Sequence, residues 1–331
     1  MIPSTRRHFF GRTACAAMSS VPVLNTLINL QLAGRTAAQQ APTDHRTLVC
    51  LFLNGGMDSF NWLVPRDGAR HAVYSTTRGN LALPIIHPTD VDLNLRALDQ
   101  DGGDGQLYGI HPSCAGMQAM FNGTGNFAGK RRAAILTNVG TLIQPVTKAQ
   151  YLAESVPLPR ALYSHSDQID QWQTSVPQGM TQLSGWAGRT ADVLHSTANS
   201  NSIAMNISLA GNSLWQVGNA TTQFVATESG ALTFTGSEIG NPLHPMRLKN
   251  TAQRSIIQQN YANLMQQSYG QLTKSSIELQ EFFLAQYNSY NDAPVAALFP
   301  AGNYIAQQFR AAVRMIALRQ ALGLHRQTIF I

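Results

Sequence analysis

An unbroken apolar run at residues 48–53, Leu-Val-Cys-Leu-Phe-Leu, is the clearest hydrophobic pattern in the chain. A half-buried strand alternates apolar and polar residues, whereas an unbroken run is typical of a strand that is covered on both faces. The run therefore predicts a central strand of a parallel sheet. Gly55 and Gly56 follow it and can adopt positive φ, so we expect a sharp turn where the strand ends.

Further strands are predicted along the chain. Residues 133–139 (AAILTNV) predict a second buried strand, which a helix over 113–121 would join to the first in one right-handed crossover. Strand composition and turn spacing over 201–236 predict one more sheet strand and a small hairpin. The segment 325–331 (HRQTIFI) predicts a last strand. Strands and helices thus alternate, which predicts an α/β fold.

Helical periodicity predicts the elements between these strands. One helical pattern covers 246–289, and the last helix begins near residue 303 and ends at Gly323. Ser164 and Ser184 stand where helices should begin, as N-cap residues. The pattern over 246–289 assigns six residues to its buried face: Ile257, Tyr261, Leu264, Met265, Phe282 and Phe283.

Residues 1–41 have the layout of a twin-arginine export signal. Arg6 and Arg7 precede two phenylalanines, a modestly apolar stretch and a series of small residues, and we expect cleavage between Ala37 and Pro42. The apolar stretch is interrupted by a proline and an asparagine and is too short for a stable membrane span, which needs about 20 apolar residues. We therefore predict a periplasmic or extracellular protein that uses the twin-arginine translocase as its partner during export.

The net charge of +6 comes mainly from this N-terminal segment. After it, 19 Lys and Arg stand against 17 Asp and Glu, and no basic stripe remains that would bind nucleic acid. Charged residues make up 12% of the chain, against about 25% in typical proteins. Cys50 and Cys114 lie in a predicted strand and a predicted helix, so we expect two structural thiols rather than a disulfide.

Common catalytic motifs are missing from the sequence, including H-E-x-x-H, G-x-S-x-G, C-x-x-C and the phosphate-binding G-x-x-x-x-G-K. One candidate remains directly after the first predicted strand, where Asp58 stands beside Ser59. Ligands of open α/β sheets bind at the carboxyl ends of strands, so Asp58 is a candidate metal or substrate ligand. The alternative is an acid that accepts hydrogen bonds from the amides of its own turn.

A second candidate is the segment YSHSDQIDQWQ, which places Ser164, His165 and Asp167 where a loop enters a helix. A hydroxyl at a helix N-terminus meets free amide donors and the positive end of the dipole, so Ser164 could hold an anion or act as a nucleophile. The alternative is that Ser164 only caps the helix.

Six segments follow one another behind the predicted twin-arginine signal: FLNGGMDSFNWLVP, GIHPSCAGM, AAILTNVGTL, SHSDQIDQWQ, GWAGRTADVL and AQQFRAAVRMIALRQALGL. In this order they resemble the DUF1501 family of exported bacterial proteins, and the likeness runs from about Arg46 to Ile331. That family is similar to the alkaline phosphatase and sulfatase superfamily. The resemblance implies that residues 42–331 form a three-layer α/β/α sandwich with a mainly parallel sheet and two divalent metal ions, zinc, calcium or similar.

The resemblance also implies roles for individual residues. Asp58 corresponds to the acid that binds metal after the first strand, and Ser164 is the candidate nucleophile. His165 would contact the anionic group of the substrate, with Asp167 supporting the start of the helix. Asn54 would donate to a bound anion from the Gly55 turn. In such sites the metal pair stabilises the attacking and leaving oxygens of an in-line displacement.

This sequence departs from the family pattern at its end. Family members continue into a Gly-Gly-Phe-Asp-x-His-like block and later Asp-His pairs, which would supply most metal ligands, whereas this sequence stops at Ile331. We therefore expect an incomplete sandwich that binds metal poorly and turns over nothing. Four scattered histidines are expected to be surface or capping residues: His87, His111, His195 and His244.

Two functions from different classes follow. The first is a metal-dependent phosphoric or sulfuric ester hydrolase-like protein, inactive as this chain, whose substrate would be a small anionic ester or a sulfated or phosphorylated glycan. The second is a non-catalytic exported binding or assembly protein that keeps the fold. A Gln- and Asn-rich helix over 251–290 and an aromatic-bearing extended region over 213–234 favour the second.

Overall fold

The computed structural model describes residues 44–55, 57–100, 105–177, 184–199, 205–231 and 239–331. The predicted export signal and Gly56 lie outside the described residues. The chain divides into two compact units. The sheet unit comprises the described residues up to Phe52 together with Thr141–Ile331, and the inserted unit comprises Leu53–Gly140.

The strands in chain order are β1 (Arg46–Cys50), β2 (Leu63–Pro65), β3 (Arg96–Ala97), β4 (Tyr108–Ile110), β5 (Asn206–Ser208), β6 (Phe224–Thr227), β7 (Gly230–Ala231) and β8 (Arg326–Phe330). The α-helices are α1 (Ser59–Trp62), α2 (Gly68–Arg78), α3 (Ala115–Asn122), α4 (Lys148–Leu152), α5 (His165–Thr174), α6 (Trp186–Ala198), α7 (Pro245–Ile257), α8 (Leu264–Ser289), α9 (Ala293–Ala296) and α10 (Tyr304–Ala317). Short 3-10 helices lie at Gly79–Leu81, Val91–Leu93, Gly125–Phe127 and Leu214–Gln216.

A five-stranded sheet in the order β1-β8-β5-β6-β7 organises the sheet unit. The pairs β1/β8, β5/β8 and β5/β6 are parallel, and β6/β7 is antiparallel. The register sets Val49 opposite Ile329, which is in turn opposite Ile207. The protein is thus a mixed α/β protein with a mostly parallel sheet, and the predicted last strand and small hairpin are confirmed.

Helices cover both faces of this sheet. Ile329 and Ile331 pack in one core with Phe283 and Tyr287 of α8 and with Met315 of α10. Phe330, between those two isoleucines, lies in another core with Ala187 of α6 and with Trp215 of the 3-10 helix Leu214–Gln216. Because successive side chains of a strand point to opposite faces, the three apolar residues at and directly after the end of β8 need cover on both sides of the sheet.

The prediction that β1 is a central strand is wrong. In the described residues β1 lies at one end of the sheet and pairs only with β8. Leu48 is 49% exposed and Leu51 is 41% exposed. An apolar run indicates that both faces of a strand are to be buried. It does not indicate which other strands hydrogen-bond to that strand.

The predicted strand over 133–139 is also wrong, because this segment forms no strand and belongs to the inserted unit. Leu136 is 84% exposed and Val139 is 66% exposed. The neighbouring Arg131 is held instead by a bidentate pair with Asp99 at 2.6 and 2.8 Å. A strand needs a neighbouring strand to hydrogen-bond with, and the apolar composition of residues 133–139 does not provide one.

The helical pattern over 246–289 forms two helices, α7 and α8, with a break between them. Phe283 of the predicted buried face is fully buried, but Leu264 and Met265 are 78% and 80% exposed. Asn263 explains the break, since its side chain accepts hydrogen bonds from the Met265 and Gln266 amides and so begins α8 at Leu264. Leu264 and Met265 therefore lie in the first turn of α8, where their side chains are exposed.

Two helix boundaries also differ from the predictions. The N-cap of α6 is Gly185 rather than Ser184. The helix α10 ends at Ala317, and the turns that follow it end at Gly323, whose φ is +64°. Cys50 and Cys114 are free thiols, as predicted.

The inserted unit contains a three-stranded antiparallel sheet in the order β2-β4-β3. Its helix α2 begins at Asp67, whose side chain caps the Arg70 amide and also pairs with the Arg70 guanidinium at 2.7 Å. Among the described residues of either unit, no helix combines the length and apolarity that a membrane crossing needs.

Candidate functional site

The two candidate residues of the sequence analysis fall in different units. Asp58 belongs to the inserted unit and Ser164 to the sheet unit.

The Asp58 carboxylate forms an ion pair with Arg78, the last residue of α2. The Asp58 side chain is 43% exposed, and the Arg78 guanidinium also lies 5.8 Å from the centre of the Phe60 ring. Asp58 stands at the N-cap position of α1, but its side chain accepts no hydrogen bond from the amides of that helix. The Asp58 carboxylate is therefore held by a guanidinium 20 positions away in the sequence and not by the amides of its own turn.

The loop that leads to Asp58 turns as predicted. Gly55 has a φ of +81°, and its amide donates to the Leu53 carbonyl at 2.9 Å, which closes a tight turn. Asn54 is exposed in this loop. A side chain at Gly55 would find open space, so backbone conformation is what requires glycine there.

Ser164 is the N-cap of α5, as predicted. Its Oγ accepts from the Asp167 amide at 3.4 Å and donates to the Asp167 carboxylate at 2.5 Å. The second oxygen of Asp167 lies 3.7 Å from Nε of Arg160. His165, the first residue of α5, is exposed.

Backbone strain directly before Ser164 is a feature that the sequence did not indicate. Ala161 and Tyr163 have φ values of +46° and +77°, which are uncommon for residues with a side chain. The Ser164 amide donates to the Ala161 carbonyl at 2.8 Å, and Nε2 of Gln171 donates to the Arg160 carbonyl at 2.6 Å. These two bonds hold the turn that orients the start of α5.

The Ser164 and Asp167 pair can orient a hydroxyl but is poorly suited to activate it. Carboxylates are weaker bases than imidazole, and general bases work best near the operating pH. The strongest chemical feature of this place is the set of free amides at the start of α5, which favours an anion. The Ser164 and Asp167 pair thus resembles a helix N-cap more than a nucleophile with its general base.

The metal ions that the resemblance implies would need several His, Cys, Asp or Glu ligands in one place. Across the described residues, no three His, Cys, Asp or Glu side chains come together as a ligand group. Asp58, the one predicted ligand, pairs with Arg78, whose positive charge would oppose a cation at the same carboxylate.

Three of the four scattered histidines are capping residues, as predicted, whereas His195 is partly buried. Nδ1 of His87 accepts from the Asp90 amide at 3.1 Å, and Nδ1 of His111 accepts from the Ser113 amide at 3.2 Å. His244 caps α7. His195 lies in the last turn of α6, where burial lowers its pKa from the ordinary 6.5.

The segment GWAGRTADVL has a clear structural role. A side chain at Gly185 would overlap the Leu214 carbonyl, and one at Gly188 would overlap Val217, so α6 can approach residues 214–218 only through these glycines. Arg189 donates to the carbonyls of Ser184 and Thr174, each at 2.7 Å. The segment thus joins α6 to the loop before β6 and to the end of α5.

Polar side chains inside the sheet unit form a network that the sequence did not indicate. Nε2 of Gln216 donates to the Ile207 carbonyl and to Oγ1 of Thr328, both at 3.0 Å. Oγ1 of Thr328 donates to Oδ1 of Asn206 at 2.8 Å. Trp215, adjacent to Gln216, is 0% exposed, so the predicted aromatic region over 213–234 does not offer this ring to a glycan.

No family model matches this chain, and neither the curated proteins nor the solved structures include a match.

Proposed function

We propose that this protein is an exported binding or assembly protein that keeps an alkaline phosphatase-like α/β/α sandwich without performing ester hydrolysis. The observation that carries the proposal is the ion pair between Asp58 and Arg78. A carboxylate that neutralises a guanidinium has a structural partner already, and releasing it for a metal would leave Arg78 without its counter-charge. Export by the twin-arginine route, from the layout of residues 1–41, is part of the proposal.

The state of Ser164 supports the same conclusion. Its hydroxyl both accepts from and donates to Asp167, which is the arrangement of a helix cap. A nucleophile would need a base of suitable pKa aimed at the same oxygen. Here the partner is a carboxylate that also lies near Arg160.

A second candidate is a metal-dependent hydrolase of phosphoric or sulfuric esters, as the DUF1501 resemblance implies. The strained turn before Ser164 favours it, because residues in sparsely populated backbone regions concentrate at functional sites. The free amides at the start of α5 would suit a small anionic ester or a sulfated or phosphorylated glycan. Zinc or calcium would then activate the hydroxyl.

Turnover and metal content of the exported protein distinguish the two candidates. The substrates are p-nitrophenyl phosphate and p-nitrophenyl sulfate, each with zinc or calcium, and the variants are Ser164→Ala and Ser166→Ala. We expect wild type and both variants to show the same background rate, and elemental analysis to find less than one ion per chain. Turnover that Ser164→Ala abolishes and Ser166→Ala retains would establish the hydrolase instead. Ser166 is the matched control because its Oγ lies 3.3 Å from that of Ser164.

A further inference from the structure

Backbone groups at alternate residues of β1 have no partner among the described residues. The Arg46 amide donates to the His325 carbonyl at 3.0 Å, and the Phe52 amide donates to the Ile331 carbonyl at 2.9 Å. The Cys50 carbonyl accepts from the Ile331 amide at 2.9 Å. Because backbone groups of a strand alternate in direction, the even-numbered residues bond to β8 and the odd-numbered ones point away from it.

The odd-numbered residues of this edge are Thr47, Val49 and Leu51. Within the part of the chain that the structure describes, β8 is the only strand beside β1. The edge is also apolar and accessible, with Leu48 49% and Leu51 41% exposed. Proteins usually block such an edge with lysine, proline, a bulge or a covering segment, since an open apolar edge pairs with another strand.

From this edge we infer an interaction surface that binds a second copy of this chain, with the two β1 strands antiparallel. The inference rests on the proposed assembly function and names the partner. Antiparallel pairing centred on Val49 sets Val49 opposite Val49 of the other copy and Thr47 opposite Leu51. Each of the three outward residues then exchanges both of its backbone hydrogen bonds, so about six bonds join the strands.

The side chains fit the same register. Leu48 comes opposite Cys50 of the other copy, which covers the exposed leucine. Residues 47–57 contain no charged side chain. Arg46 comes opposite Phe52 of the other copy, so no two like charges face each other across the pair. Uncharged, self-complementary pairing suits a second copy, and an isologous contact of this kind closes at two chains.

The mass of the exported full chain in solution tests the inference. We expect sedimentation equilibrium to give twice the mass of one chain, and Leu48→Lys to raise the dissociation constant at least tenfold. Leu272→Lys is the matched control, because Leu272 is a 68% exposed leucine on α8, and it should leave the dimer intact. Far-ultraviolet circular dichroism checks that Leu48→Lys is folded.

Cysteine cross-linking tests the register. Oxidised Leu48→Cys should form a covalent dimer through Cys50 of the other copy, since facing Cβ atoms of a non-hydrogen-bonded antiparallel pair lie about 4.5–5.5 Å apart. The double variant Leu48→Cys, Cys50→Ser should not form it. A monomeric wild type would overturn the inference, and so would a dimer that Leu48→Lys leaves intact. A monomer that binds a strand of another protein would overturn it as well. A different result would overturn the proposed function, namely ester turnover that Ser164→Ala abolishes.

Discussion

Thr221 binds the carboxylate of Asp192 twice, through its amide at 2.7 Å and through its hydroxyl at 2.8 Å. The amides of Asn219 and Ala220 donate to the same carboxylate at 2.6 and 3.0 Å. Burial opposes ionisation of Asp192, but these bonds outweigh it and lower the pKa of this carboxyl below its ordinary 3.8. One helical side chain thus holds the whole turn that leads into β6.

Replacing Asp192 by Asn should destabilise the sheet unit. The asparagine keeps one acceptor oxygen but directs an NH₂ group at amide donors, so at least one of these donors loses its partner. We expect a loss of about 1–3 kcal/mol in the free energy of unfolding, measured by urea denaturation. Glu278→Gln is the control, since Glu278 is 63% exposed and its pair with Lys274 is long, at 3.9 Å. An Asn variant as stable as the control would contradict this role for Asp192.

Gly188→Ala should be severely destabilising. The added Cβ would overlap the carbonyl group of Val217, which is backbone and cannot move without displacing the Asp192 turn. We expect a loss of about 3 kcal/mol or more, seen as a lower midpoint of thermal or urea unfolding.

The matched control for this change is Gly116→Ala. Gly116 also lies in a helix, α3, where an added Cβ meets open space. Alanine there should be neutral or stabilise the inserted unit by up to about 1 kcal/mol, because it favours the helix. Equal effects at the two glycines would argue against close packing of α6 on residues 214–218.

Stability should fall as the pH drops below about 6.5, partly because of His45. Burial lowers the pKa of His45 from the ordinary 6.5, and the nearby charges of Arg319 and Arg326 lower it further. The folded state therefore binds fewer protons than the unfolded state in this range, so His45 contributes stability above pH 6.5 that is lost as the pH falls.

Urea denaturation at pH 7.5 and pH 5.5 measures this contribution. His45→Gln should show a smaller decrease in unfolding free energy between the two values than wild type, because glutamine takes up no proton. The same decrease in both proteins would assign the effect to other groups, His195 among them.

Asp292 should be important for the packing of α8 against α10. Its carboxylate binds Arg310 through both oxygens, at 2.6 and 3.0 Å, and its side chain is 11% exposed. The Arg314 guanidinium lies 3.8 Å from the same carboxylate and 4.0 Å from the centre of the Tyr287 ring. Asp292→Ala would leave two arginines without their counter-charge, and we expect a loss of about 2–4 kcal/mol.

A double-mutant cycle with Arg310→Ala measures the pairwise part of this energy. A coupling of about 1–3 kcal/mol is expected for a bidentate, mostly buried pair. A coupling near zero would mean that the cost of Asp292→Ala arises from packing or from Arg314 alone.

Features that depend on a few neighbouring residues were readable from the sequence. Ser164 caps α5 because a hydroxyl and the amide three residues later are close whatever the rest of the fold does. Gly55 turns the chain because its own φ is positive, and β8 follows from a short segment that ends in strand-forming apolar residues. The α/β class also follows from the order of such local elements along the chain.

Tertiary structure alone decided which distant groups meet. Arg78, the partner of Asp58, lies 20 positions away in the sequence, and no local pattern reports this pairing. Asp192 and Thr221 meet although they are 29 positions apart in the sequence. Gly185 and Gly188 allow this contact, and the reason for glycine there appears only when α6 packs on residues 214–218. The position of β1 at one end of the sheet, among the described residues, was also decided by tertiary structure. Hydrophobicity indicates that the two faces of a strand are buried, whereas long-range backbone pairing sets which strands lie beside it.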